Sequence, residues 1–315
     1  MSTSTRNKGA RANSNFVFQI DGQFDGSYVR KVSGGNVKRE TVKHAMGPSL
    51  IVPKGLGGKR KYQPITFECA VSMGRGLMEW VNQAFRAEPS YHDGVLYEAD
   101  QTLRTVRELK FYRAMITEVT IPAFDGDGKD HCYLTIKIQP EWCEYVEHGS
   151  PQNIMAVKEG AAKARNFPAS NFELDIDGMG GDFNQVTKLD SFTWKATVKE
   201  DSISNDDVCG WVMCGFDIPD FKITFNPALN KYFDDWSESF IIRGVADEAA
   251  HRAATLTFKD MKGSELSALK FSRMGICGSP DGSFEAGSQN LSRKTCDLYS
   301  SDMQFELASG SFDNA

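Results

Sequence analysis

No stretch of the 315-residue chain approaches the roughly 20 consecutive apolar residues of a membrane-spanning helix. Residues 1–14 are polar and basic and hold no apolar core of the kind a secretory signal uses, so a flexible arm is expected there. Positive charge is not in excess either. The net charge is -6, which argues against a general nucleic-acid binder, since such proteins are normally basic. Histidine is scarce: His44, His92, His131, His148 and His251 fall in no metal or protease spacing such as H-E-x-x-H, and surface or structural roles are expected of them. The seven cysteines are odd in number and follow no zinc pattern, as expected of an intracellular protein with reduced thiols. Cys209 and Cys214, close together, are expected reduced. In an oxidising environment one of them could instead crosslink subunits, if geometry allowed.

Chemical motifs are missing as well. Asp125-Gly126-Asp127-Gly128-Lys129-Asp130 fails as a calcium loop, because Lys129 stands where an oxygen ligand is needed and Ile136 where the bidentate Glu belongs. An Asp-Gly hairpin turn explains it instead. Gly55-Leu56-Gly57-Gly58-Lys59-Arg60-Lys61 lacks the G-x-x-x-x-G-K-[ST] spacing of a phosphate loop. Asn290-Leu291-Ser292 matches a glycosylation sequon but has no secretory context. There are no paired carboxylates, no nucleophile with its base and no cofactor fingerprint. Neither an enzyme nor a bound cofactor is expected.

What is present is a repeat. Asn15-Phe16-Val17-Phe18-Gln19-Ile20-Asp21-Gly22 returns as Asn171-Phe172-Glu173-Leu174-Asp175-Ile176-Asp177-Gly178. The alternation of Phe16, Phe18 and Ile20 is that of a strand with one buried face, closed by an Asp-Gly turn. Three further echoes follow in the same order. Ile65-Thr66-Phe67 is answered by Ile223-Thr224-Phe225, and Trp80 by Trp236. Leu109-Lys110-Phe111-Tyr112-Arg113 is answered by Leu269-Lys270-Phe271-Ser272-Arg273. The offset drifts only from 156 to 160, as small loop insertions would make it. The chain therefore reads as two copies of one domain. The expected limits are an arm at 1–14, a first domain at 15–145, a linker at 146–169, a second domain at 170–307 and a tail at 308–315. With 40% hydrophobic and 25% charged residues, each copy can bury a core.

Strand patterns dominate both copies. One helix per copy is expected, at 76–86 and at about 229–240. Leu77, Trp80, Val81, Ala84 and Phe85 share one face of the first. Trp80 and Trp236 are expected as buried anchors. Residues 46–62 form a Gly/Pro-rich basic excursion carrying Lys54, Lys59, Arg60 and Lys61. Residues 201–219 form an acidic one carrying Asp201, Asp206, Asp207 and Asp217. A last hairpin is expected to turn at Pro280-Asp281-Gly282. Many strands with one helix per copy suit two small, mainly β, closed or nearly closed barrels.

Over about residues 15–142 the chain resembles the tail tube proteins of contractile-tailed phages and related injection machines. The likeness rests on the order of Phe16–Gly22, Val32-Ser33-Gly34-Gly35, the Gly/Pro-rich excursion before Ile65-Thr66-Phe67, the helix around Trp80, Leu109–Ala114 and Leu134-Thr135-Ile136-Lys137-Ile138. The second copy is more diverged: Leu189-Asp190-Ser191-Phe192 replaces the Val-Ser-Gly-Gly stretch. The resemblance implies a β-barrel with a flanking helix, packed sheet to sheet in six-membered rings around a lumen, with the excursion touching the next ring. It implies a virion tail assembled in the host cytoplasm, with sheath, baseplate or tape-measure proteins as partners, no membrane insertion, and DNA passing through without specific binding. With two domains per chain, a homotrimeric ring of pseudo-sixfold symmetry is expected, the alternative being a hexamer. The oppositely charged excursions are expected to attract each other between rings. Two further possibilities are a baseplate hub or tube-initiating ring, and a soluble β-barrel that binds a ligand or acts as a secreted effector.

Overall fold

The computed structural model describes residues 15–43, 54–88, 90–100, 104–128, 131–147, 167–179, 185–201, 207–281 and 293–307. The arm, most of the linker, the tail, Asp206, His44, His148 and the sequon lie outside them. The first half runs β1 (Asn15–Ile20), β2 (Gln23–Ser33), β3 (Val37–Lys43), β4 (Lys54–Tyr62), β5 (Ile65–Ala70), α1 (Arg75–Phe85), β6 (His92–Ala99), β7 (Thr105–Ile121), β8 (Phe124–Asp125), β9 (Tyr133–Gln139) and β10 (Trp142–Glu147). The second runs β11 (Phe172–Ile176), β12 (Val186–Leu189), β13 (Phe192–Asp201), β14 (Gly210–Asp217), β15 (Phe221–Phe225), α2 (Asn230–Ser237), β16 (Arg252–Lys259), β17 (Glu265–Asp281), β18 (Lys294–Tyr299) and β19 (Asp302–Leu307). A π-helical turn, Glu238–Ile242, continues α2. The order of elements repeats, as the sequence echoes require.

In the first half the strands pair antiparallel in a circuit: β1 with β2, β2 with β5, β5 with β9, β9 with β7, β7 with β6, and β6 with β1. A closed circuit satisfies the backbone groups that an open sheet would expose. Asp21 and Gly22 turn β1 into β2 with φ of 49° and 81°, the left-handed pair that matches the twist of a tight hairpin. Inside lies Phe18, in ring contact with both Phe67 and Phe111. The long strand β7 changes partners along its length. Its first half lies between β6 and β10, its second between β9 and β13. The change falls near Arg113, whose φ is 46°, and Arg273 of β17 repeats it with φ of 54°. Positive φ at a non-glycine residue is uncommon, and its recurrence at the same point of both copies marks a bend that the fold requires.

The second half repeats the plan with one change. Strands β11, β16, β17, β18, β15 and β12 pair in that order, with β19 on β17. Among the described residues β12 does not pair with β11. It takes β8 of the first half instead, Lys188 opposite Asp125 and Leu189 opposite Phe124.

Three sequence expectations are corrected. The acidic excursion takes in the whole second strand of a hairpin whose strands, β13 and β14, span Phe192–Asp201 and Gly210–Asp217. Pro280 and Asp281 end β17 rather than forming a turn, because the strand keeps pairing with β18 to Asp281 opposite Thr295. α2 stops at Ser237 and goes on as a π-helical turn.

α1 buries Leu77, Trp80, Val81, Ala84 and Phe85, the face set by helical spacing. Its start is capped from β2. The buried Asp25 accepts hydrogen bonds from the N–H of Leu77 (2.9 Å) and of Ser27 (2.9 Å), and Ser27 Oγ accepts from the N–H of Gly74 (2.8 Å). A carboxylate at these N–H groups satisfies orphan donors and favours the helix dipole. Asp25→Ala is expected to lower stability by about 1–2 kcal/mol, the upper part of the range for lost N-terminal caps, in a denaturant melt; an unchanged midpoint would remove Asp25 from that role.

Candidate assembly surface

The two halves meet along a seam made of backbone first. β13 of the second half lies antiparallel on the outer edge of β7, with Phe192, Thr193, Trp194 and Lys195 opposite Ile121, Thr120, Val119 and Glu118. The hydroxyls of Thr120 and Thr193 are 2.9 Å apart. Strand pairing of this kind needs no particular side chains, only an open edge on each partner.

Side chains then seal it. Phe85 of α1 stacks on Phe305 of β19 (5.9 Å between centroids) and meets Trp194 edge-on (5.6 Å). Asn82 reads the backbone of Phe305 in both directions, donating to its carbonyl (2.9 Å) and accepting from its N–H (2.7 Å). Phe124 sits against Phe167 at the end of the linker and against Phe172 and Phe258 of the second half. One hydrophobic core therefore runs through both barrels. Asn82 was missed in the sequence, because a polar residue on a helix reads as solvent-facing. β10 and β19 were missed as separate strands, although the alternation in Trp142-Cys143-Glu144-Tyr145-Val146 carries a weak signal of one.

The charged excursions meet within this one chain. β4 runs beside residues 207–209, where the N–H of Arg60 donates to the Asp207 carbonyl (2.8 Å) and the N–H of Cys209 to the Arg60 carbonyl (3.2 Å). Asp207 receives Arg39, and Arg60 Nε lies 3.1 Å from Asp207 Oδ2 without hydrogen-bond alignment. Lys61 lies 2.7 Å from Glu200 and 3.1 Å from Glu40. Those two carboxylates, Glu200 first, push the Lys61 pKa above the ordinary lysine value. The arrangement thus gathers Arg60, Lys61 and Asp207, and adds Arg39, Glu40 and Glu200, which the sequence did not single out. Lys59 is half-buried on β4. Lys54 sits apart, opposite Lys43 on the β3–β4 hairpin. Asp217 lies opposite Lys195, and Asp201 opposite Gly210 at the far end of the β13–β14 hairpin.

The other candidates have local explanations. Asp127 of the Asp-Gly turn lies 3.2 Å from Arg293. His92 packs on Trp80 (5.0 Å) and contacts Asp21. His251 lies 3.0 Å from the Tyr299 hydroxyl, edge-on to Phe240. His131 forms a bridge to Pro168. All seven cysteines are free. Burial pushes the Cys143 thiol up to about 12 and also raises Cys69 and Cys296, so these thiols stay protonated.

A strand-rich barrel with a flanking helix is thus joined edge to edge with a copy of itself. Residues 12–144 match the model of the family described as T4-like virus tail tube protein gp19. The matched stretch takes in the first barrel. Solved structures similar to the chain include a sheath-tube complex of an extracellular contractile injection system (PVC) in the extended state, at 18% identity and TM-score 0.40 over 47% of this chain and 99% of that one. The tube-terminating cap of the anti-feeding prophage has 17% identity and TM-score 0.40, over 47% and 100% of the two chains. Hcp1 from Flavobacterium johnsoniae has 18% identity and TM-score 0.30, over 44% and 98%. No curated relative matches the sequence.

Proposed function

We propose that this protein is a structural tail tube subunit, without catalytic role, of which three copies close a ring of six barrels. Stacked rings would form the channel through which DNA leaves the particle. The barrels are assigned to residues 15–145 and 170–307. The observation that carries this reading is the seam: one barrel's hairpin strand completes the open edge of its neighbour, with the helix of the first clamped over the last strand of the second. A ring needs that junction repeated, and tandem duplication supplies half of the junctions covalently. Linking neighbours raises their effective concentration and eases closure. A 24-residue linker reaches up to roughly 80 Å when extended, ample for adjacent barrels.

The acidic balance suits a lumen that lets phosphates slide rather than holding them. Sheath, baseplate and tape-measure proteins are the partners such a tube would meet in a virion tail assembled in the host cytoplasm. Native mass measurement of isolated rings tests the stoichiometry. A mass of about three times 35.0 kDa is expected, and six times that mass sinks the trimer in favour of a hexamer. Electron microscopy of the same sample should show a central hole.

A further inference from the structure

The seam inside the chain uses one surface from each barrel. The first contributes α1 and the second half of β7; the second contributes β19 and β13. Because the halves are copies, each barrel also owns the surface that the other one uses. On the second barrel these are the end of α2 with its π-helical turn, and β17 from Gly275 onward. On the first they are β10 and β3.

Among the described residues these counterpart surfaces are less covered. The offset of 156 that relates Trp80 to Trp236 carries Phe85 to Ile241, and the offset of 160 that relates Leu109 to Leu269 carries Tyr145 to Phe305. Phe85 and Phe305, stacked in the seam, are each 1% exposed; Ile241 and Tyr145 are each 39% exposed. Beside them Ile242 is 73% and Trp142 40% exposed. The strands agree. Among the described residues β17 pairs from Gly275 onward with β18 alone, whereas the matching part of β7 has two partners. Among the described residues β3 likewise pairs with β4 alone, and each of its residues is exposed.

We infer that Ile241 and Ile242 of one copy dock on Trp142 and Tyr145 of the next copy, with the outer edge of β3 laid along β17, a step that rests on the ring proposed above. The two surfaces differ, so the contact is head-to-tail and repeats until the ring closes. It is not a replica of the internal seam. Pro280 of β17 stands where β7 has Thr120, and without an N–H it removes one rung of the ladder. Glu238 stands where α1 has Asn82. Its carboxylate can accept from a backbone N–H but cannot donate to the carbonyl as Asn82 does. The contact between chains therefore depends on the aliphatic and aromatic side chains, and the ring opens there before it opens within a chain.

The test uses the full chain with the exposed Cys214 and Cys277 changed to Ser. In that background Ile241→Cys protein is mixed with Tyr145→Cys protein under mild oxidation. The expected product is a covalent dimer of about twice 35.0 kDa that forms in the mixture and from neither protein alone. Separately, Ile241→Asp should raise the protein concentration needed for rings at least tenfold while the melting profile stays that of the parent. If parent rings form, yet no dimer appears and Ile241→Asp assembles at the parent's concentration, the seam is overturned and the ring survives. A parent chain that stays monomeric at every concentration overturns both.

Discussion

Trp80→Ala and Trp236→Ala should each lower stability by about 3–5 kcal/mol, the usual cost of removing a large aromatic side chain from a core. Trp80 is 1% exposed and lies against Phe111 (6.4 Å) as well as His92. Trp236 packs on Phe233 (6.4 Å) and Phe240 (6.3 Å), with the Arg252 guanidinium over its face at 4.7 Å. No described protein group accepts from either indole N–H, so the loss is one of packing rather than of a hydrogen bond. Each tryptophan anchors a helix to its own barrel, and the two barrels share one core. Either change should therefore move the main thermal transition rather than a minor local one. A mutant that melts like the parent would place that tryptophan outside the core.

Reversing Lys59, Arg60 and Lys61 together to Glu should abolish tube assembly while leaving the barrels folded. Arg60 and Lys61 face Asp207, Glu200 and Glu40, so the change sets like charges side by side across the two hairpins. Ion pairs this exposed are screened by solvent and too weak for their loss to unfold a barrel. Repulsion at the same sites is expected to part the two hairpins while each barrel stays folded. The sequence alone suggested attraction between stacked rings, whereas the pairs lie within one chain, and mixing separates the two cases. Reversal of Asp207, Glu200 and Glu40 to Lys in the same chain, together with Arg39 to Glu so that no like pair remains, should restore tubes. A mixture of the basic-reversed and acidic-reversed chains should not. Rescue by the mixture would assign the contact to neighbouring rings or chains, and tubes formed by the triple variant alone would refute any role in assembly.

What the sequence determined by itself is local or periodic. The alternation in Phe16, Phe18 and Ile20, the Asp21-Gly22 turn, the buried face of α1 and the echo of Leu109–Arg113 in Leu269–Arg273 each follow from spacing within a few residues. Comparing the chain with itself then doubles the signal. The tertiary structure decided which edges join. Nothing in Phe192-Thr193-Trp194-Lys195 says that this strand leaves its own barrel for β7, because backbone donors and acceptors are the same at every residue and any open edge can take them. Asn82 became a seam residue only when the Phe305 backbone was brought to it. The opposite charges of the two excursions were legible as an attraction, but not as one within a single chain. Linear charge carries a sign and no address. Folding brought Arg60 to Asp207, and partners joined by the chain meet at a far higher effective concentration than separate copies do.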